Sequence, residues 1–334
     1  MSGRQRSILL FLAKLAVSAG LIAWLLRRIG TGVLLQVMMG AATKPLLVAA
    51  LILLCSHALA SWLWGRLLAT AAAPLPARRV MAYYFAGAFL NLILPSAAGG
   101  DLARVFGASR ESGRGAAVVG ATVVERFLGG AVLALLALLG LMSGNAVTES
   151  AQGGVLRAVV IANAILSLGA LGLVLSPGGG RFIRAAAASL PARAGAWLGH
   201  FDDSMVRLRG AKRPELLVLA ALAIQSLRIL AHVQVARALD IEISVRYFFL
   251  FVPLLAIVVS LPISIGGLGV REGLGALLFG LVGLGAAEAS AMQLLTYLVA
   301  AAVSLPGAAV VLSVAPWRGR KDVNFVDESG DRLR

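Results

Sequence analysis

The chain has few charged and few aromatic residues for its length, and this scarcity excludes an ordinary soluble domain. Of its 334 residues, 13% are charged and 6% aromatic, whereas 60% are apolar. The mean hydropathy is +0.91. Several apolar runs approach or exceed the roughly 20 residues that a spanning helix needs. They lack the alternation of a membrane β-strand. The sequence therefore predicts an all-α, polytopic membrane protein.

Cysteine and histidine are too scarce to support several kinds of chemistry. Cys55 is the one cysteine, so no intrachain disulfide forms. His57, His200 and His232 are widely separated, without metal-ligand spacing. The sequence also has no Walker A loop, no dinucleotide-binding fingerprint and no nucleophile elbow. We therefore expect no metal, no cofactor, no ATP-driven pumping and no enzymatic activity.

Positive charge dominates, at 30 basic against 15 acidic residues. The arginines lie between apolar segments rather than in a separate basic domain, which predicts membrane topology and not nucleic-acid binding. Residues 176–213 and the tail after Pro316 are rich in arginine, whereas residues 143–154 contain no lysine or arginine. We expect the first two regions, and both termini, to be cytoplasmic, and the third to lie outside.

The sequence contains nine apolar segments. They lie at about 8–26, 46–70, 80–95, 115–142, 155–175, 214–238, 246–263, 268–285 and 288–314. Counting crossings predicts about six full spans and two broken segments, 80–103 and 246–285, that re-enter on the side from which they came. The halves 45–142 and 213–314 then repeat with inverted topology. Arg27, Arg28 and Lys44 conflict with this orientation, because they are expected outside.

The expected domain organisation is a single transmembrane domain, residues 1–316, followed by a polar tail, 317–334. Within the basic region, residues 192–209 place Trp197, Phe201, Met205 and Leu208 at helical spacing. This spacing predicts a helix that lies in the membrane interface. A helix packed on the bundle is the alternative.

One pattern, Pro-x3-Gly-Gly-x3-Arg, occurs twice, 167 residues apart. The first copy comprises Pro95, Gly99, Gly100 and Arg104, and the second comprises Pro262, Gly266, Gly267 and Arg271. Proline and paired glycines break a helix. A helix that restarts at Asp101 or Leu268 would offer its N-terminal N–H groups to an anion such as a phosphate headgroup. A packing kink is the alternative reading, with Asp101 as an N-cap.

Ionisable residues within the spans are the other candidates. Glu125 and Arg126 fall about mid-bilayer, and we expect Glu125 to pair with Arg104 or Arg271, for transport or purely for structure. Gln225, Arg228 and His232 form one polar helix face that must meet the interior or a wet cavity.

Five further polar residues are expected near the site. Arg271 and Glu272 are expected to pair locally at the outer mouth. Gln293, Thr296 and Tyr297 are expected to line the cavity from the last span.

Three segments in order resemble the membrane region of lysylphosphatidylglycerol synthases. They are residues 91–104 around the first motif, 124–129 around Glu125, and 261–273 around the second motif. In that family this region is implicated in moving lipids between leaflets, and a separate soluble domain transfers the amino acid. It also occurs as stand-alone flippase-like proteins, some of them associated with hopanoid or glycolipid pathways. The resemblance implies a bacterial cytoplasmic membrane protein that handles lipids without synthase activity.

The resulting functional prediction is a flippase or scramblase for an anionic phospholipid or related polar lipid, including glycolipid or hopanoid-type lipids. The predicted substrate-binding residues are Arg104, Glu125, Arg126, Arg228, His232, Arg271 and Glu272. A transporter of small soluble anions, a membrane lipid-pyrophosphate phosphatase and a scaffold for lipid-biosynthetic enzymes stay open as alternatives. The sequence also leaves open whether two copies form a homodimer.

Overall fold

A computed structural model describes residues 30–94, 99–143, 153–260 and 267–313, together with Ala23 and Arg27. Regular structure in these residues is helical throughout. The helices are α1 Thr31–Met39, α2 Thr43–Thr70, α3 Ala77–Ile93, α4 Gly99–Ser112, α5 Gly115–Met142, α6 Gly153–Leu175, α7 Pro177–Ala188, α8 Ala192–Arg209, α9 Pro214–Ala238, α10 Val245–Ser260, α11 Val270–Gly280, α12 Ala286–Ser304 and α13 Pro306–Ser313. The prediction of an all-α polytopic membrane protein is confirmed.

Five helices of the described chain are long and apolar enough to cross a membrane. They are α2, α5, α6, α9 and α12, with 28, 28, 23, 25 and 19 residues. At about 1.5 Å per residue, even the shortest approaches the roughly 30 Å of a hydrocarbon core. They correspond to five of the six predicted full spans, and the sixth, 8–26, lies almost wholly outside the described residues.

Four shorter helices form two consecutive pairs, α3 with α4 and α10 with α11. They contain between 11 and 17 residues each, so each reaches only about 17–26 Å and is too short to cross. In the first pair, Tyr83 Oη donates a 2.6 Å hydrogen bond to Glu111 near the base. Gly100 lies against Gly87 nearer the tip. The two helices therefore run antiparallel.

Close backbone approach holds this first pair together. A Cβ at Gly100 would lie only 1.9 Å from the Gly87 carbonyl oxygen, and one at Gly107 would lie 2.6 Å from the Tyr83 ring. Glycine at these two positions is therefore a steric requirement of the contact between α3 and α4.

The centre of the bundle is the contact between α2 and α9. Ala42, just before α2, donates a 2.7 Å backbone hydrogen bond to Ala238 at the end of α9. Ser56 Oγ, in the middle of α2, lies 3.5 Å from the Ile224 carbonyl oxygen in the middle of α9. The start of α2 thus contacts the end of α9, and the middles of the two helices contact each other. These two spans are therefore antiparallel over most of their length.

The apolar segment predicted as one span over 288–314 consists of two helices. The chain forms α12, which ends at Ser304, and a separate α13, which begins at Pro306. Proline has no N–H to continue the hydrogen-bond ladder, and its ring clashes with the preceding turn. The new direction lets α13 pack on α3, where a Cβ at Gly307 would lie 2.0 Å from the Phe85 carbonyl oxygen.

The helix predicted at 192–209 is present as α8, packed in a hairpin with α7. The sequence pattern places the charged residues of this helix mostly away from its apolar face, and Asp202 is the exception. Asp202 is buried, forms an ion pair with Arg184 of α7 and has Arg209 at 3.9 Å. Met205 and Leu208 are buried as the pattern predicts.

Candidate functional site

A cavity of about 600 Å³ lies between the α3–α4 pair, the spans α2, α5, α9 and α12, and the shorter helix α10. Its polar and charged lining is His57, Tyr84, Asn91, Asp101, Arg104, Glu125, Arg126, Gln225, Arg228, His232, Ser260 and Ser304. At roughly 30 Å³ per water molecule, it has room for about 20 waters. The space is therefore large enough for a polar headgroup, and most of the predicted ionisable candidates line it.

Arg104 of α4 is the most buried charge in the cavity wall, with 4% of its side chain exposed. Its Nη2 donates a 2.6 Å hydrogen bond to Glu125 of α5. Its Nε donates a 3.1 Å hydrogen bond to Asp101 one turn earlier on α4. The ion pair predicted between Glu125 and a motif arginine is thus present, with Arg104 rather than Arg271. Charge-assisted hydrogen bonds of this kind offset much of the cost of burying the cation.

Two aromatic rings complete the surroundings of Arg104. Its guanidinium carbon lies 4.7 Å from the ring centre of Trp64 on α2 and 5.1 Å from that of Tyr84 on α3, which are cation–π distances. The Trp64 indole is fixed by a 3.0 Å hydrogen bond to Thr122 of α5. Arg104 Nη1 is buried without a hydrogen-bond partner in the described part of the chain. The Nη1 donors of this arginine therefore have no acceptor among the described residues.

Asp101 has a different role from the predicted N-cap. It lies inside the first turns of α4, because the helix already begins at Gly99. Its carboxylate binds Arg104 through one oxygen and Arg126 of α5 through the other. The result is an alternating chain of charges, Arg126, Asp101, Arg104 and Glu125, that links α4 to α5. Arg126, with 53% of its side chain exposed, is the outer end of this chain.

The polar face of α9 faces the same cavity, as its spacing predicts. Gln225, Arg228 and His232 all line it. Arg228 Nη2 donates a 3.3 Å hydrogen bond to Tyr84 Oη, and no described carboxylate lies within salt-bridge distance of Arg228. His232 Nδ1 is 2.9 Å from the Arg228 carbonyl oxygen. Tyr84 thus lies between two arginines, with Arg104 at its ring and Arg228 at its hydroxyl.

At the N-terminal ends of α4 and α11, one backbone N–H of each is hydrogen-bonded to a side chain of the protein. Gly100 N–H donates to Asn91 Oδ1 at 2.9 Å. Gly269 N–H donates to Glu272 Oε2 at 2.6 Å, and the second helix starts at Val270 instead of Leu268. Gly267 and Gly269 adopt positive φ values of 76° and 82°, a conformation that glycine adopts without strain. These two N–H groups are occupied within the protein.

The second motif and the predicted polar residues of α12 contribute less to the cavity than the sequence predicts. The Arg271 guanidinium lies over the Tyr297 ring, 5.0 Å from its centre. Gln293 and Thr296 are buried and do not line the cavity, and Gln293 instead packs on Gly275 of α11. Because Gly275 of α11 has no side chain, α12 approaches α11 closely here, and the Gln293 side chain lies at this helix contact rather than at the cavity. Pro95, Pro262 and Gly266 lie outside the described residues.

Sequence reasoning missed the aromatic side chains that contact the arginines. Trp64 and Tyr84 lie in apolar runs, where their rings are hard to distinguish from ordinary core residues. The available signal was their polar edge, because a buried indole N–H or phenol hydroxyl needs a hydrogen-bond partner. Asn91, which accepts a hydrogen bond from Gly100 N–H, was also missed, although it is a polar residue in an apolar run four residues before Pro95.

Spanning helices, a broken helix pair and a charged cavity between them define a polytopic membrane protein with an internal polar site. The model of one family, the lysylphosphatidylglycerol synthase TM region, matches residues 11–312, and the chain belongs to this family. A comparison with curated proteins gives no match. The family places the protein among membrane proteins of lipid metabolism or transport.

Proposed function

We propose that this protein is a flippase or scramblase that moves an anionic phospholipid or related polar lipid between the leaflets of a membrane. The observation that carries the proposal is a polar cavity walled by membrane helices, in which Arg104 keeps an unsatisfied donor and Arg228 faces it from another span. A charged site at membrane depth is costly, so it indicates function by default.

The charges in the cavity favour an anion. Three arginines and two carboxylates line it. Asp101 and Glu125 bind Arg104 and Arg126, which leaves the charge of Arg228 uncompensated by any described carboxylate within 4.0 Å. A phosphate between Arg228 and Arg104 Nη1 would neutralise this excess. It would also satisfy the buried donor, a gain that matters most where water is scarce.

The arrangement of helices supports a role in translocation. Adding the motif offset of 167 to the bounds of α3 gives 244 and 260, and α10 runs from Val245 to Ser260. The same shift moves α2 onto α9, the span with which it packs antiparallel. We propose that these halves form an inverted repeat and that α3–α4 and α10–α11 are re-entrant. Arg104 and Arg228 then come from opposite halves, so rocking of the halves would change access to the headgroup.

Translocation in proteoliposomes tests the proposal, with labelled anionic and zwitterionic phospholipids compared in separate preparations. Wild type is expected to move the anionic lipid faster. Arg228→Gln is expected to slow it about tenfold or more, because a hydrogen bond to a charged group contributes roughly 1.5–3 kcal/mol. The matched control is Arg157→Gln, which removes an exposed arginine of α6 that does not line the cavity.

The alternatives predict different results in the same preparation. Uptake of a soluble anion without lipid movement would assign a soluble-anion transporter. Release of phosphate from a lipid diphosphate would assign a phosphatase. If no lipid moves, with or without a pH gradient or a membrane potential, the flippase proposal is refuted and a scaffolding role becomes the better account.

A further inference from the structure

The hairpin of α7 and α8 begins at the end of a membrane span. Helix α6, which is long and apolar enough to cross, ends at Leu175, and α7 starts at Pro177. Ser176 between them caps α7, because its Oγ accepts a 2.9 Å hydrogen bond from Gly179 N–H. Ser176 is the only residue between α6 and α7, so α7 must start close to the bilayer surface at this end of α6.

The hairpin is also held firmly to the bundle. Asp202 of α8 is buried and pairs with Arg184 of α7. Met205 is fully buried and packs on α5, where a Cβ at Gly120 would lie 2.7 Å from its Cε. The outer surface of the hairpin is therefore presented in a fixed orientation and not as a loose loop.

That outer surface combines exposed apolar side chains with exposed arginines. Phe182 of α7 is 77% exposed and Trp197 of α8 is 43% exposed. Arg181 and Arg207 are exposed as well, and neither has a carboxylate of the described chain within 4.0 Å. Residues 176–213 contain seven lysines and arginines against two aspartates, a net charge of +5. Exposed aromatic and basic residues together fit the boundary between acyl chains and anionic headgroups.

We propose that the α7–α8 hairpin is a binding surface for anionic phospholipids of the leaflet at this end of α6. Phe182 enters the acyl boundary, while Arg181 and Arg207 bind lipid phosphates. Charge complementarity and continuity with the span both favour lipid over a protein partner. The surface is distinct from the cavity and does not depend on whether the protein translocates lipid.

Site-specific quenching in nanodiscs tests this proposal. The single cysteine allows a clean label position, with Cys55→Ala combined with Ala185→Cys, an exposed position on α7. The fluorophore is measured in two nanodiscs of identical phosphatidylcholine and phosphatidylglycerol composition. The bromine quencher is carried by phosphatidylglycerol in one and by phosphatidylcholine in the other. Cys55 itself, exposed on α2, is the control label position in the wild-type chain.

We expect brominated phosphatidylglycerol to quench the α7 label more than its mole fraction predicts, and the excess to fall with salt. Each arginine near an anionic surface favours binding about fivefold. Arg181→Glu combined with Arg207→Glu should therefore abolish the excess, and the corresponding glutamine pair should reduce it. Arg157→Glu, the same charge change on α6 away from the hairpin, should leave it unchanged.

Quenching of the α7 label by the two brominated lipids in proportion to their mole fractions would overturn the proposal and point to a protein partner for this surface. The same conclusion follows if the excess survives both arginine pairs, or if the Cys55 label shows an equal excess. Retained elution of each variant as a single species in size-exclusion chromatography shows that the comparison concerns folded protein.

Discussion

The buried pair of Arg104 and Glu125 is the contact whose removal is expected to have the largest energetic effect. Their side chains are 4% and 11% exposed and their nearest atoms are 2.6 Å apart, so solvent screens the pair little. Glu125→Gln keeps the size of the side chain and removes its charge. Breaking one side of a buried pair typically costs about 3–5 kcal/mol. Arg104 would retain Asp101 and two rings, so we expect about 3 kcal/mol, the lower end.

A double-mutant cycle separates the pair from the loss of each side chain. The variants are Glu125→Gln, Arg104→Gln and the two together, with the free energy of unfolding measured by far-UV circular dichroism in mixed micelles. Because contacting charges do not behave additively, a coupling energy of about 2–3 kcal/mol is expected. Arg126→Gln is the matched control: its side chain is 53% exposed, so its loss should cost below about 1 kcal/mol.

A coupling energy under about 0.5 kcal/mol would refute the reasoning. It would mean that water or Asp101 compensates Arg104 fully once Glu125 is neutral. In that case the alternating charge chain would be a set of weak, independent contacts. An Arg126→Gln cost equal to that of Glu125→Gln would contradict the assigned difference in burial.

Two further predictions concern the helices that hold the cavity. Gly100→Ala should lower the free energy of unfolding by about 1–3 kcal/mol or more, because the new methyl group would meet the Gly87 carbonyl oxygen. Gly154→Ala is the control and should be neutral in the same unfolding assay, because the space around Gly154 is open. Trp64→Phe should cost about 1–2 kcal/mol through the lost hydrogen bond to Thr122, and a Thr122→Val background should remove most of that difference.

The spans and the break positions could be predicted from the sequence because both depend on local composition. A long apolar run indicates a spanning helix whatever it packs against, and four predicted spans match helices to within three residues at each end, whereas the fifth, 288–314, extends ten residues beyond α12. A glycine pair after a proline interrupts such a run, and α4 begins at Gly99. The separate helix at Pro306 follows the same physics, but the apolar residues on both sides of this proline obscured the break.

Which face of each helix turns inward could not be predicted from apolar residues. Lipid and protein interior are both apolar, so hydrophobic periodicity is weak in a membrane bundle. Only polar residues indicate which face of a membrane helix points toward the protein interior. For this reason the face containing Gln225, Arg228 and His232 was predicted to meet the interior or a wet cavity. The same rule failed for Gln293, because Gly275 opposite it lets the helices approach closely and bury the amide.

The similarity of the two motifs predicts equivalent helix breaks in the backbone, but it does not predict equivalent side chains at the site. At the offset of 167, Arg104 corresponds to Arg271, but Asp101 and Glu125 correspond to Leu268 and Met292. The second half therefore has apolar residues at the positions of the two carboxylates that bind Arg104, and its Arg271 lies over the Tyr297 ring. On the proposed function, the two halves supply equivalent helices for motion but unequal sites. The headgroup is then held at one place, where the charge chain of α4 and α5 faces Arg228.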